Sequence, residues 1–142
     1  MNEPRQKIMF TLGEAGCYFL SLVHIAEDLH GGRRIDAVQM FLSAVQLGLC
    51  RDDCFIVDPG GIMQLLYGGR WTWRKEAANY AVTDGEFEVL RFERPTPGFV
   101  YSHFVLGDGT GHVKYDPLGD SKTVAGGTLI SKRILKMVIG ES

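Results

Sequence analysis

The sequence has no apolar run long enough to cross a membrane and no cluster of basic residues. A transmembrane helix needs roughly 20 consecutive apolar residues, and no stretch of the chain approaches that length. Lysine and arginine are dispersed, and the formal net charge is −2, so the basic patch typical of nucleic-acid-binding proteins is missing. We therefore expect neither a membrane nor nucleic acid as a partner.

Cysteine is also scarce. Three cysteines at unequal spacing are too few for a disulfide framework and fit a reducing compartment. The first residues, Met1 to Lys7, lack the apolar core of a signal peptide. From these absences we expect a cytoplasmic protein.

No convincing metal motif is present. Cys50 and Cys54 have a spacing compatible with two zinc ligands, and His24 with His30 could be proposed as the others. On one predicted helix those histidines would point to different sides, and no second close pair exists. We expect no metal and no other cofactor.

What the chain does contain is an ordinary globular composition, with 45% hydrophobic and 23% charged residues in 142. This length predicts a single domain spanning residues 1–142. Helical patterns occupy about residues 14–68, and strand patterns follow over about residues 71–140. This segregation predicts an α+β fold, in which N-terminal helices pack on a C-terminal antiparallel sheet.

The individual elements are predicted from hydrophobic periodicity and from the glycines and prolines that bound them. The predicted helices span about Cys17 to His30, Arg33 to Gly48 and Gly61 to Tyr67, the third entered through Asp58-Pro59. The predicted extended segments are Trp71 to Trp73, Glu86 to the break at Pro95, Phe99 to Gly107, His112 to Pro117 and Arg133 to Ile139.

Cys17 opens the first helix, after the glycine-punctuated turn that begins at Gly13. A helix N-terminus presents unpaired N–H groups and a partial positive charge, and both favour a thiolate over a thiol. Cys17 is therefore a candidate nucleophile. The alternative, that it is a small buried apolar residue, stays open because free cysteine is often buried.

A turn-rich segment, Gly107 to His112, lies between the two best strand candidates and predicts a hairpin. If Gly107 pairs with His112, then His103 lies directly opposite Asp116, within reach of a carboxylate that orients an imidazole. A three- or five-residue loop would shift this pairing. His103 could instead be a structural residue, and Asp116 could belong to an Asp-Pro turn.

Together these residues supply a nucleophile, a base and an orienting acid. An imidazole within roughly 2.6 to 3.2 Å of a thiol can take its proton and later protonate the leaving group. A carboxylate on the other ring nitrogen fixes the tautomer. The set Cys17, His103 and Asp116 therefore predicts nucleophilic catalysis if the fold brings the cysteine to the hairpin.

Three short motifs carry a family resemblance: Gly16-Cys17-Tyr18 at a helix start, Ser102-His103-Phe104-Val105 on a strand, and Tyr115-Asp116-Pro117 on the next. In their order the chain resembles the papain-like cysteine peptidases, especially the compact bacterial cell-wall-peptide hydrolases of the NlpC/P60 kind and the bacteriocin-leader peptidases. It also resembles a family of small phage- or plasmid-borne bacterial proteins. The resemblance implies a papain-like fold, with Cys17 as nucleophile, His103 as base and Asp116 as its orienting group.

The chain departs from this pattern at the oxyanion hole. The papain and leader-peptidase relatives place a glutamine about six residues before the cysteine, where this chain has Thr11. Gln6 lies further upstream and would need a longer turn to serve. The remaining candidate donors are the backbone N–H of Cys17, with Glu14 or Thr11 nearby.

Trp71 and Trp73 are candidate substrate-binding residues. In an extended segment both indoles share one face, and Arg70 and Arg74 flank them. Aromatic rings beside cations suit peptides or glycopeptides that carry carboxylates, although ordinary packing would explain the pair equally well. We add Tyr18, beside the proposed nucleophile, to the candidate substrate contacts.

The sequence thus predicts a cysteine hydrolase that cleaves an amide bond in a peptide, an isopeptide or a cell-wall peptide, through an acyl-enzyme. The alternative is a non-catalytic binding or assembly module on the same fold, for example in a phage particle. The absence of a predicted signal peptide weighs against autonomous work on the cell wall, unless a phage context delivers the protein.

Overall fold

The computed structural model describes residues 6–8, 12 and 16–138. Its named helices are α1 (Cys17–Leu29), α2 (Ala37–Gln46), α3 (Pro59–Leu66) and α4 (Lys122–Gly126). Its strands are β1 (Trp71–Ala77), β2 (Glu86–Thr96), β3 (Phe99–Gly107), β4 (Val113–Tyr115) and β5 (Thr128–Met137).

The strands form one five-stranded antiparallel sheet in the order β1-β5-β2-β3-β4. Helix α1 packs against β3 and α3 packs against β1. The core between helices and sheet is apolar and includes Phe19, Leu22, Phe41, Ile62, Val89, Leu106 and Leu135. The predicted α+β class is confirmed. Within the described residues, no helix has both the length and the apolarity needed to span a bilayer.

Helix α1 begins without a side-chain cap. Its N-cap is Gly16, whose N–H donates to the Leu12 carbonyl oxygen over 2.9 Å. A Cβ at position 16 would lie 2.6 Å from that oxygen and 2.8 Å from the Leu12 Cα, so only glycine allows this close approach. The close approach of Gly16 to Leu12 precedes Cys17, which is the first residue of the helix.

The helix entrance predicted at Asp58-Pro59 is confirmed, whereas α2 begins at Ala37 instead of the predicted Arg33, with Asp36 as its N-cap. The Asp36 carboxylate accepts a hydrogen bond from the Gln39 N–H, and Asp58 caps α3 by accepting from the Gly61 N–H over 3.0 Å. Pro59 occupies the first turn of α3, where its missing N–H costs nothing. Helix α2 is shorter than predicted, because residues 33–36 and 47–48 lie outside it.

The second half differs from prediction in its boundaries. Strand β3 has the predicted bounds, but β2 continues through Pro95 to Thr96. The proline is tolerated because β2 pairs with β5 only as far as Glu93, so no ladder bond is required from position 95 on that side. Strand β5 starts at Thr128, earlier than predicted, and the predicted end at Ile139 lies outside the described residues.

The predicted hairpin register is wrong. Leu106 pairs with Tyr115 and Gly107 pairs with Val113, with an irregularity between them. Gly109 and Gly111 both have positive φ, which gives a longer, bulged connection than the one assumed from the sequence. Strand β4 therefore ends at Tyr115, and Asp116 follows the strand instead of pairing with His103 across it.

A buried ion pair lies beneath this connection. The Lys132 ammonium is 2.8 Å from Glu88 Oε1, and both side chains are almost fully buried. Glu88 Oε2 accepts hydrogen bonds from the Gly109 and Gly111 N–H groups, each over 2.9 Å. Lys132 also donates to the Tyr80 carbonyl oxygen over 2.9 Å. The pair thus fixes the turn that leads to β4 and Asp116.

Candidate active site

A cleft of about 860 Å³ opens at the N-terminus of α1. The first turn of α1, the loop at residues 54–56, β1, β3 and the segment after β4 form its walls. Cys17 and His103 both line it, and the Cys17 side chain is partly exposed. The cysteine is therefore reachable from the cleft, unlike a core residue.

The Cys17 sulfur lies against the edge of β3. The Phe104 N–H donates to Sγ over 3.4 Å. This N–H is available because the short β4 pairs only with Leu106 and Gly107 of β3, so that among the described residues no strand pairs with this edge at residue 104. A backbone N–H directed at sulfur stabilises the negative charge of a thiolate.

His103, which precedes Phe104 and lines the same cleft as the sulfur, pairs with a carboxylate. Its Nε2 lies 2.7 Å from Asp116 Oδ1, and both side chains are 5% exposed. Two backbone groups also hold the carboxylate: the Leu118 N–H donates to Oδ1 over 2.9 Å, and the Ser121 N–H donates to Oδ2 over 3.2 Å. Ser121 is the N-cap of α4, so the start of that helix positions the acid.

The titration of the pair reflects these contacts. Burial alone would lower the pKa of His103, but its hydrogen bonds with the Cys17 and Asp116 side chains outweigh burial and raise the pKa above its ordinary value. Burial alone would raise the pKa of Asp116, but the bonds from His103 and from the Leu118 N–H lower it below its ordinary value. The site therefore favours an imidazolium next to a carboxylate.

Replacing Asp116 with asparagine tests this coupling. A raised His103 pKa stabilises the fold below about pH 6.5 and loses this contribution as pH rises through the folded-state value, whereas a lowered Asp116 pKa stabilises it above about pH 3.9. We expect Asp116→Asn to reduce the free energy of unfolding by roughly 1.5 to 3 kcal/mol between these limits. The difference in the free energy of unfolding between variant and wild type should become smaller below and above this pH range.

Denaturant unfolding of both proteins across the pH range measures this difference. The control is Asp108→Asn, which changes an exposed carboxylate on the β3–β4 turn that contacts Thr110 and not His103. A wild-type to Asp116→Asn difference that stays constant with pH would contradict the ion pair.

The other two thiols differ from Cys17 in being buried. Burial, the larger cause, and the nearby Asp53 raise the pKa of Cys50 to about 11. Burial also raises the pKa of Cys54 to about 12, although Cys54 lines the cleft. Both therefore remain thiols near neutral pH and are poor nucleophiles.

Of the three predicted substrate contacts, Trp73 and Tyr18 line the cleft and Trp71 does not. Trp73 lines the cleft and is 44% exposed. Trp71 instead packs beside Tyr67 and Phe87, and its Nε1–H donates to the Gly68 carbonyl oxygen, so its placement is that of a packing residue. Tyr18 lines the cleft and stacks on the Phe104 ring, with 4.6 Å between the ring centroids.

Of the predicted oxyanion donors, the backbone N–H of Cys17 and the Gln6 side chain lie within the described residues, and Cys17 opens α1 at the cleft. Gln6 is exposed and does not line the cleft. Thr11 and Glu14 lie outside the described residues.

Several residues of the site were missed in the sequence. Ser121 carries the ordinary signature of a helix N-cap, and its Oγ accepts from the Val124 N–H, so α4 could have been predicted from it. The Phe104 N–H and Arg133, which lines the cleft, had no signal, because the sheet register alone brings them to the sulfur. No group of three His, Cys, Asp or Glu side chains arranged for a metal occurs in the described part of the chain.

A family model described as "Protein of unknown function, DUF261" matches residues 1–137. No curated protein and no solved structure matches the chain.

Proposed function

The chain belongs to the DUF261 family, whose description states no function, and we propose from its cleft that it is a cysteine hydrolase acting on an amide bond. The observation that carries the proposal is the position of His103 at the wall of an open cleft: its Nε2 is bonded to Asp116, and the N–H of the next residue, Phe104, donates to the sulfur of Cys17, which lines the same cleft. A sulfur, an imidazole and a carboxylate in this order form a nucleophile, a base and the group that orients the base.

In the proposed mechanism, His103 takes the thiol proton of Cys17 and the thiolate attacks the carbonyl carbon of the substrate. Because Nε2 faces Asp116, Nδ1 is the nitrogen that exchanges the proton. The tetrahedral intermediate collapses as the imidazolium protonates the departing amine, which leaves a thioester on Cys17. His103 then deprotonates a water molecule, which attacks the thioester and releases the acid and the free thiol.

The negative oxygen of the tetrahedral intermediate needs a donor. Because this chain lacks the glutamine that papain-like relatives place about six residues before the cysteine, we assign this role to the backbone N–H groups at the N-terminus of α1, beginning with that of Cys17. The helix delivers these groups together with the nucleophile, so attack at Sγ places the substrate oxygen beside them.

A papain-like arrangement is part of this proposal. An apolar helix that starts at the cysteine packs on the antiparallel strand that carries the histidine, which is the order implied by the resemblance. We propose a peptide, an isopeptide or a cell-wall peptide as substrate, with Trp73 as one wall of its groove.

Alkylation of the thiols tests the proposal. We expect iodoacetamide to modify Cys17 preferentially at about pH 5 to 6, because its proton can reside on His103, whereas Cys50 and Cys54 should stay unmodified up to about pH 8. Peptide mapping by mass spectrometry locates the adduct. In His103→Ala the labelling of Cys17 at acidic pH should disappear.

The matched control is His24→Ala, which removes a histidine of α1 that stacks on Tyr115 and does not line the cleft. Its labelling should equal that of the wild type. Slow, equal labelling of all three cysteines would instead favour the alternative, a binding module without catalysis.

A further inference from the structure

We propose that the cleft selects amide substrates that carry a carboxylate beside the scissile bond, and that Arg133 binds this carboxylate with help from Lys75 and the Tyr18 hydroxyl. The proposal rests on the proposed hydrolase function and names its substrate class. It follows from the charges and polar groups of the cleft.

The cleft is positively charged and otherwise largely apolar. Its described lining includes two basic residues, Lys75 and Arg133, and no Asp or Glu. The remaining lining is mainly aromatic and aliphatic, including Leu20, Phe55, Ile56, Pro59, Trp73 and Leu118. In such surroundings a cation attracts an anion more strongly than it does in water.

The two cations face each other in the sheet. Lys75 of β1 is the direct antiparallel partner of Arg133 of β5. Side chains of directly opposite residues share a face of the sheet, and like charges in that arrangement are unfavourable. A bound anion between them would relieve the repulsion.

Arg133 is also incompletely paired. Its guanidinium donates to Ser131 Oγ over 2.9 Å, but no carboxylate within residues 16–138 forms an ion pair with it. Burial, with the neighbouring Arg91 adding to it, lowers its pKa. A half-buried cation without a counter-charge is costly, and a substrate carboxylate would offset this cost.

Tyr18 supplies a second unmatched donor. Its side chain is only 9% exposed, and the buried hydroxyl has no hydrogen-bond partner within the described structure. Burial raises the pKa of Tyr18 well above its ordinary value, so the group remains a donor at any physiological pH. An unpaired buried hydroxyl is destabilising, and a carboxylate oxygen would satisfy it once the side chains that cover the hydroxyl move aside.

These groups line the same cleft as the reacting sulfur. The Arg133 guanidinium is 5.5 Å from the centroid of the Phe104 ring, Tyr18 stacks on the same ring, and the Phe104 N–H donates to Cys17 Sγ. An anion held by Arg133 therefore lies in the cleft in which the scissile bond meets the sulfur. This placement suits an acidic side chain or a free α-carboxylate adjacent to the scissile amide.

Paired substrates test the selection. Fluorogenic peptide amides that end in Glu or Gln before the scissile bond differ only in charge, and peptides with a free or an amidated C-terminus after the bond differ likewise. We expect kcat/KM to favour the charged member of one pair by roughly 10- to 100-fold, the range for hydrogen bonds to a charged group. The pair that responds identifies the source of the carboxylate.

Arg133→Met should remove this preference, so that the ratio of kcat/KM between the charged and the neutral member of the responding pair falls to about one. The matched control is Arg91→Met, because Arg91 also lies over the Phe104 ring but pairs with Glu93 and does not line the cleft. Arg91→Met should retain the preference. Equal loss on charged and neutral substrates in Arg133→Met, or no preference in the wild type, would overturn the proposal.

A binding measurement separates this proposal from the hydrolase function. The Cys17→Ala variant cannot hydrolyse a substrate. It should bind 3-phenylpropionate at least about 10-fold more tightly than 3-phenylpropionamide, and adding Arg133→Met should abolish this difference in affinity. Calorimetric titration measures both ligands even if no amide is hydrolysed. Equal affinities would exclude the carboxylate site irrespective of catalysis.

Tyr18→Phe distinguishes binding from packing. If the hydroxyl serves a ligand, its removal should weaken 3-phenylpropionate binding several-fold while thermal stability stays equal or rises, because an unpaired buried group is lost. A fall in stability without a change in affinity would assign Tyr18 a packing role only.

Discussion

Replacing His103 with alanine should lower the rate of amide hydrolysis by roughly 10⁴-fold or more, as expected when a member of a coupled nucleophile and base is lost. His103 is the group within reach of the sulfur that can take its proton, and Asp116 already holds its other nitrogen. Without the imidazole, attack at Sγ has no base and the leaving amine has no acid. A peptide substrate identified with the wild type provides the assay.

The losses of hydrolysis rate caused by replacing Cys17 and His103 should not be additive. Cys17→Ala and His103→Ala remove two parts of one proton-transfer unit, so the double variant should be about as slow as either single variant. Residual activity would then come from binding and from the N–H groups at the start of α1.

The control for this experiment is His112→Ala. His112 is an exposed histidine on the same hairpin, in contact with Thr110 and not with the cleft. Activity of this variant should equal that of the wild type. A His103→Ala protein that is folded and still hydrolyses its substrate at more than a tenth of the wild-type rate would rule out His103 as the base.

Replacing Glu88 with alanine should destabilise the protein by roughly 3 to 5 kcal/mol, because it leaves the buried Lys132 ammonium without its counter-charge. For a chain of this length we expect the Tm to fall by roughly 10 °C or more. The variant also removes the acceptor of the Gly109 and Gly111 N–H groups. Calorimetry of the purified variant measures the change.

Removing both charges together should cost less. In Glu88→Met combined with Lys132→Met, apolar side chains replace the pair and no lone charge is buried, so the Tm should recover relative to Glu88→Ala. A cycle of single and double variants gives the coupling between the two residues. Additive losses would contradict a direct ion pair.

Glu88→Ala should also impair the site at a distance. Glu88 accepts hydrogen bonds from the turn that leads through β4 to Asp116. Without Glu88, we expect the hydrogen bond between Asp116 and His103 to weaken. We expect slower alkylation of Cys17 at acidic pH than in wild type, measured at a temperature where the variant is folded. The control is Glu76→Ala, which breaks a surface pair with Arg74 and does not line the cleft, and it should leave the labelling of Cys17 unchanged.

The contact between His103 and Asp116 was predicted from a hairpin register that the structure does not have. The sequence placed His103 opposite Asp116 in a strand pair, but the observed register shifts at Leu106 and Gly107 and β4 ends at Tyr115. The two side chains nevertheless meet at 2.7 Å. The contact arises because the chain turns after β4 and the start of α4 holds the carboxylate through the Ser121 N–H.

The local sequence pattern was sufficient to predict most helices and strands but not the residues at which they begin and end. Periodicity predicted α1, α3 and β3 closely, because apolar residues recur at the helical or the strand spacing there. The end of β2 was missed, since whether Pro95 interrupts a strand depends on where the partner β5 stops. The short α4 has too few residues for a periodic signal.

Spacing along the chain was enough to predict the α+β class, the cysteine at a helix start and the order of the candidate triad. The three-dimensional fold was needed to show that the edge of β3 receives the sulfur, that Trp73 and not Trp71 lines the cleft, and that Lys75 faces Arg133. Such contacts join residues far apart in sequence. Register and packing of the whole sheet set them, and no local pattern encodes those.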